Sequence, residues 1–383
     1  MRSLKISKLS IASAAVFIAL FKPEGLPNTV KYAIQISMLG TAMMFILSRK
    51  IKVSDNVMVL IAIPVIMSSI AAYLDKIISL KNLINCFFYM LCLWSACQIL
   101  VFSIKNGKYS RLVDTLYRLL ACYCLLSVIS VLSIGVTNSA TTTYLFGGKF
   151  ITSYFFLMFL GFSYAKHQER IDARLRYRLI FGFMCLFVFL FEVYLRCTTG
   201  YVIILFFYCL LFLPKITRQF LTRKVVVTAA VIITGLIPIF INGILSISVV
   251  QNVIVNILGK SINLTSRLPI YTDYLFPLVK ERLIFGNGYA SSVMHLRTGV
   301  YWNAQNGLFD IILNYGVIGT AGFLTAVFRA TGNKNSDSIA WPFYAVLYSL
   351  ILASTIEVSY DLFFFFTLSM IFASKYYVPE AAK

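Results

Sequence analysis

The chain has 383 residues, of which 60% are hydrophobic and 13% charged. Soluble globular domains carry about 25% charged residues, so this composition excludes a soluble protein and, with apolar runs from end to end, fits a polytopic α-helical membrane protein without barrel-like alternating strands. The formal net charge of +20 resides in short segments between apolar runs, where lysine and arginine set topology, so no nucleic-acid partner is expected.

The first apolar run follows Arg2, Lys5 and Lys8 and resembles a signal peptide, but no small-residue cleavage site follows it. It reads as an uncleaved first span. About twelve spans are predicted, at 9–21, 32–48, 57–74, 83–104, 115–137, 150–165, 179–195, 200–214, 225–245, 304–328, 340–356 and 360–374. Several are short for a hydrocarbon core of about 30 Å, which implies tilted or broken helices, and Pro64, Pro238 and Pro342 are kink sites. The expected fold is all-α, a single membrane domain over 1–383: nine spans in 1–245, one large polar segment at 246–303, and three spans in 304–383.

The connections alternate in charge. One set carries Arg49, Lys50, Lys52; Lys105, Lys108, Arg111; Lys166, Arg170, Arg174, Arg176, Arg178; Lys215, Arg218, Arg223, Lys224; Arg329, Lys334; and Lys375, Lys383. The opposite short connections hold only Lys22, Lys31, Lys76, Lys81, Lys149 and Arg196. By the positive-inside rule the first set and both termini are cytoplasmic, and the 246–303 segment faces the periplasm or cell exterior. The eight cysteines are scattered, with neither disulfide nor metal-ligand spacing. No metal or cofactor is expected.

Arg196 is the sole charge in its short outer connection. It either snorkels to lipid phosphate or contacts a substrate diphosphate, with Glu192 one turn earlier positioned to pair with it. The 246–303 segment gathers Lys260, Arg267, Asp273, Lys280, Glu281, Arg282, His295 and Arg297 against the charge trend. Thr265 or Ser266 can cap a helix with Pro269 in its first turn, and Tyr271, Tyr274, Leu275, Leu278, Val279 and Arg282 recur at helical spacing. This predicts an amphipathic helix on the outer membrane surface, interrupted at Pro277. It is either a plug in the bundle or a lid over a lipid-linked substrate, with Arg267 offering a forked donor to phosphate beside the helix N-terminus.

Gly286-Asn287-Gly288 reads as a tight turn in preference to a phosphate loop. His295 is either an incidental loop residue or a general base. Asn306, Asp310 and Asn314 recur at i, i+4 and i+8, a polar stripe that either ties helices together or faces substrate. Gly316, Gly319 and Gly322 are expected to allow close helix packing.

Four features resemble the O-antigen polymerase and ligase superfamily, whose members polymerise or transfer O-antigen and capsule glycans. They are about twelve spans with one large late outer loop; Ser266-Arg267 leading to Leu283-Ile-Phe-Gly286-Asn-Gly288; Gln305-Asn306-Gly-Leu308 through Asn314-Tyr-Gly316-Val-Ile-Gly319; and Arg196-Cys-Thr-Thr-Gly200 opening a span. The match covers the second half of the chain, and the first half only in hydropathy.

The resemblance implies a metal-independent glycosyltransferase of the bacterial inner membrane. Its donor is an undecaprenyl-diphosphate-linked oligosaccharide, and its acceptor is a hydroxyl of another lipid-linked repeat. Expected partners are membrane lipid and the pathway's flippase and chain-length regulator. Arg267, Arg196 and His295 are the implied catalytic residues, with Gln305, Asn306, Arg282, Arg297, Asp273 and Asp310 binding substrate. One position departs from the pattern: Gln305 stands where the family usually has histidine. A glutamine orients a hydroxyl but takes up no proton, so His295, Asp273 or Glu281 replaces it, or the reaction needs no strong base. This favours a polymerase over a ligase. A flippase of lipid-linked sugars is the alternative from another class.

Overall fold

Each of the twelve predicted spans overlaps a helix in a computed structural model, which describes residues 7–49, 51, 56–136, 142–245, 247–252, 255–256, 270–301, 303–332, 337–355 and 357–378. In chain order these are α1 (Lys8–Leu20), α2 (Asn28–Ser48), α3 (Val59–Leu74), α4 (Leu80–Lys105), α5 (Tyr109–Ile134), α6 (Lys149–Ala173), α7 (Leu175–Tyr194), α8 (Thr198–Leu211), α9 (Lys215–Leu221), α10 (Lys224–Leu245) and α11 (Ser248–Asn252). A π-turn (Ile270–Leu275), α12 (Phe276–Glu281), α13 (Val293–Thr298), α14 (Gly307–Ala330), α15 (Asp337–Ala353) and α16 (Leu362–Ser374) follow. Among the described residues, five helices (α2, α4, α5, α7 and α14) are long and apolar enough to cross a bilayer unaided. The pair α9 and α10, bent by 67°, makes a sixth, and α1, α3, α8, α16 and 339–353 are shorter apolar helices.

The helix starts follow local chemistry. Ser7, Ser79, Asn306 and Asp361 each accept a hydrogen bond from a first-turn N–H, at 3.0–3.2 Å, which satisfies a donor the helix leaves open. α16 is buried along nearly its whole length. It is apolar on every side, as an axial helix must be. Phe363 and Phe366 on it join Phe17 and Phe21 of α1, Tyr123 of α5 and Phe155 of α6 in one aromatic cluster with centroids 4.6–5.9 Å apart. At the periphery the arrangement reverses. Leu179, Phe183, Phe187 and Leu190 of α7, Leu125, Ile129 and Leu132 of α5, and Ile36, Met44 and Leu47 of α2 are exposed. A surface so apolar is suited to lipid and would associate in water.

The connections separate into two ends. At one end the 21–27 turn meets the 142–148 turn (Gly25 N to Leu145 O, 2.8 Å), and Arg282 and Asn82 tie 282–290 to the α3–α4 turn. This is the loop end. At the other end Lys375 Nζ donates to the carbonyls of Arg329 and Thr331, Lys105 lies over Tyr376, and Lys166 pairs with Asp114. The cation-rich segments thus gather in space as the alternating charge pattern requires.

One helix is broken where it passes the loop end. Within α14, Gly316 adopts φ 63° and ψ −163°, which splits the helix and releases backbone groups on both sides. Residues 283–288 take them up. Asn287 N and Nδ2 donate to Leu313 O (3.0 and 2.8 Å), Gly288 N donates to Asn314 O (2.7 Å), and Val317 N donates to Leu283 O (2.8 Å). Ser68 Oγ of α3 donates to Tyr315 O at 3.1 Å. Gly286-Asn287-Gly288 is therefore a turn, as the sequence suggests, but one built to dock on a helix break. A Cβ on Gly286 would lie 2.5–2.6 Å from the Asn314 and Gly316 backbone.

Gly316 is not a helix-packing glycine; that role falls to Gly322, where a Cβ would lie 2.5 Å from Leu60 O. Leu60 O is the carbonyl that Pro64, having no N–H, leaves without its helical donor, so α14 approaches α3 at the point where α3 is open.

Candidate functional site

A cavity of about 280 Å³ lies at the loop end between α3, α4, α14, α16 and the 289–303 segment. Its polar lining is Asp310, Asp361, Asn303, Asn314 and Ser291, and Tyr89, Tyr289, Tyr315 and Tyr360 supply aromatic surface. No lysine, arginine or histidine lines it among the described residues. Two carboxyl groups without a lining cation make an acceptor-rich interior, which suits hydroxyl groups or a cation.

Asp310 stands in a hydrogen-bond ladder. Its Oδ1 accepts from Ala304 N (3.2 Å) and its Oδ2 from Asn314 Nδ2 (3.0 Å), while Asn314 Oδ1 accepts from Ser291 Oγ (3.0 Å). The ladder joins the loop to the N-terminal half of α14. Asp361 caps α16 and faces the same cavity from the other side. Tyr89 and Tyr289 pair at 5.4 Å between centroids, and burial pushes the Tyr289 phenol above its usual range, so it stays a neutral donor. Tyr360 turns its hydroxyl to Thr234 Oγ1 (2.9 Å) and offers the cavity its ring.

The 270–281 segment has its own small core: Ile270, Leu275 and Leu278 pack with Met294, Phe309 and Leu313. The expected amphipathic helix is broken into the π-turn at 270–275 and α12, with Pro277 inside the first turn of α12. Its apolar side packs on the start of α14. Arg282 anchors the segment that follows, donating Nε to Gly286 O (2.8 Å) and Nη2 to Asp75 Oδ2 (2.6 Å). Asp75 is 56% exposed, so the pair is screened. Arg282→Ala is expected to loosen the 283–290 segment by about 1 kcal/mol, seen as faster hydrogen exchange there with exchange in α4 and α16 unchanged.

The other predicted residues are distributed as follows. Arg267 lies outside the described residues. Arg196 is exposed on the α7–α8 turn with left-handed φ 54°. The expected pairing with Glu192 is corrected: Glu192 is fully buried and its Oε2 accepts from Ser153 Oγ at 2.6 Å. Gly200 leaves the space this carboxylate fills, since a Cβ there would collide with Oε2.

His295 is half-buried on α13 and is not among the residues lining the cavity. Arg297 pairs with Glu281 at 2.9 Å on the exterior, and exposed Asp273 accepts from Thr272 Oγ1 at 2.7 Å. Gln305 has left-handed φ 52°. It donates Nε2 to Asn303 Oδ1 (2.7 Å), and its carbonyl accepts from Tyr271 Oη (3.0 Å).

Asn306 is corrected as a member of the polar stripe. It is fully buried as the cap of α14, its Oδ1 accepting from Phe309 N and its Nδ2 donating to Thr234 O at 2.9 Å. The stripe reduces to Asp310 and Asn314, and the ladder they form satisfies the helix-tying reading and the cavity-facing one together. Among the described residues no three His, Cys, Asp or Glu side chains come together as metal ligands.

No family model, no curated protein and no solved structure matches this chain.

Proposed function

We propose that this protein polymerises polyprenyl-diphosphate-linked oligosaccharide repeats at the outer face of a bacterial inner membrane. The observation that supports this most is the loop-end cavity, lined by two carboxyl groups, amide side chains and tyrosine rings. Aromatic faces and carboxylate or amide oxygens are the groups that recognise a sugar, the first by its apolar face and the second by its hydroxyls.

In the proposed step, an acceptor sugar hydroxyl attacks the anomeric carbon of the donor. The new C–O bond forms as the bond to the diphosphate oxygen breaks, and the hydroxyl proton passes to a carboxylate. Asp310 takes that role in place of the missing family histidine, because it lines the cavity and His295 does not. Asp361 orients the acceptor from the opposite wall. The charge of the leaving diphosphate is met by Arg196 and Arg267.

A deletion strain is expected to carry single repeats on its surface glycolipid, and wild-type rescue to restore the full ladder on a gel. His295→Ala is expected to rescue as wild type does across pH. Loss of the ladder in that variant, with Asp310→Asn active, would move the base to His295.

One observation favours a second reading. Two carboxyl groups lining one cavity within an apolar bundle also suit cation-coupled transport of lipid-linked sugars. Loss of every repeat from the surface of the deletion strain would select that reading.

A further inference from the structure

We propose a second ligand site, on the cation-rich end of the molecule: the groove between α7 and α8 holds an acyl chain of an anionic glycerophospholipid, with its headgroup phosphate on Arg178. The groove encloses about 470 Å³, within the roughly 300–1,000 Å³ typical of small-molecule sites. Its long part is apolar, walled by Leu179, Phe183, Leu186, Ile204 and Leu205. At its far end Phe189 packs edge-on to Tyr201 at 5.8 Å between centroids.

The polar groups are confined to the opposite end. Arg178 lines the mouth, and Tyr208 follows it. Between them Gly182 leaves open space: a Cβ there would meet only the Tyr208 hydroxyl, at 3.5 Å. A groove polar at one end and apolar along the rest has the polarity profile of a phospholipid and fits neither a free anion nor a peptide.

Charge selects which phospholipid. The Arg178 guanidinium is held by one bond from Nη2 to Asp172 O (3.2 Å) and lies 5.7 Å from the Phe212 ring centroid. That bond uses one of its five donors. Arg174 and Arg176 are exposed beside it. The acidic neighbour is Asp172, whose Oδ1 accepts from Tyr164 Oη at 2.7 Å. Arg178 makes the mouth cationic, with exposed Arg174 one turn before it, and basic pockets between membrane helices at the cytoplasmic leaflet favour anionic headgroups. The site does not depend on the glycan reading.

The test is lipid titration of the full-length, delipidated protein in detergent, followed by native mass spectrometry and thermal midpoint. Phosphatidylglycerol is expected to bind about fivefold or more tighter than phosphatidylcholine and to raise the midpoint. Arg178→Gln should abolish that preference while leaving phosphatidylcholine binding unchanged. Gly182→Leu, which fills the groove, should remove binding of both lipids. Leu205→Phe is a second filling variant should the first fail to fold. Equal affinity for the two lipids in the wild type, or a preference that survives Arg178→Gln, overturns the proposal. So does inorganic phosphate reproducing the whole effect, since that would be a bare anion site without the groove.

Discussion

Asp310→Asn is expected to end glycan elongation while leaving the protein folded in the membrane. Loss of a general base costs about 10²–10⁴-fold in rate, enough to reduce a polymer ladder to single repeats. The fold should survive because the ladder around Asp310 can invert. In the native chain Asn314 donates to Asp310 and accepts from Ser291. An asparagine at 310 still accepts from Ala304 N with Oδ1 and donates with its amide, provided that Asn314 flips to accept from it and donate to the Ser291 hydroxyl. Every buried polar group then keeps a partner, and only the ability to take a proton is gone. Asp361→Asn preserves the cap of α16 through its amide oxygen and should weaken elongation less. Glycan ladders from strains matched for membrane abundance of the protein check both expectations. A full-length ladder from Asp310→Asn would remove it as the base.

Gly316→Val is expected to prevent accumulation of folded protein. A backbone at φ 63° and ψ −163° is populated almost only by glycine. Forcing another residue into such a region costs of order 1–3 kcal/mol before any clash. Here a Cβ would also run into the Ile284 carbonyl, so relief requires the 283–288 segment to leave the break it satisfies. That would strand the carbonyls of Leu313 and Asn314 inside an apolar bundle, at about 1–3 kcal/mol each. Against a total stability of about 5–15 kcal/mol, the sum is decisive. Gly40→Ala is the matched control: nothing lies within 4 Å of its added Cβ, on a regular stretch of α2. It should hold or raise stability, by up to about 1 kcal/mol. Fluorescence-detected size exclusion of detergent extracts separates the two. A monodisperse Gly316→Val peak at wild-type yield would show that the break tolerates a side chain.

Much of the helical layout was legible because membrane helices announce themselves: apolar runs bounded by cations coincide with the helices found. The break in α14 was not. Gly316-Val-Ile-Gly319 has the spacing of a packing motif, and nothing local reveals that residues 283–288, from the preceding loop, supply its missing hydrogen bonds. The i, i+4, i+8 pattern overreached for a related reason. Asn306 precedes the first helical residue, so it serves as a cap and falls out of phase with Asp310 and Asn314. Asp361 stands in the sequence directly before Leu-Phe-Phe-Phe-Phe, an N-cap pattern and an ionisable group inside a predicted span, but only the fold brings it to the same cavity as Asp310. The tyrosines of the cavity come from α4, the loop, α14 and the start of α16, and only tertiary structure assembles them. Pro277 did mark the interruption in the 270–281 segment, where it sits in the first turn of α12 directly after the π-turn.

The most direct test is reconstitution. Purified protein in liposomes, given a polyprenyl-diphosphate-linked repeat in both leaflets, should yield products two and more repeats long together with free polyprenyl diphosphate, and Asp310→Asn should yield neither. Redistribution of the intact lipid-linked repeat between leaflets, with no lengthened product, would contradict the account and identify the cavity as a transport site.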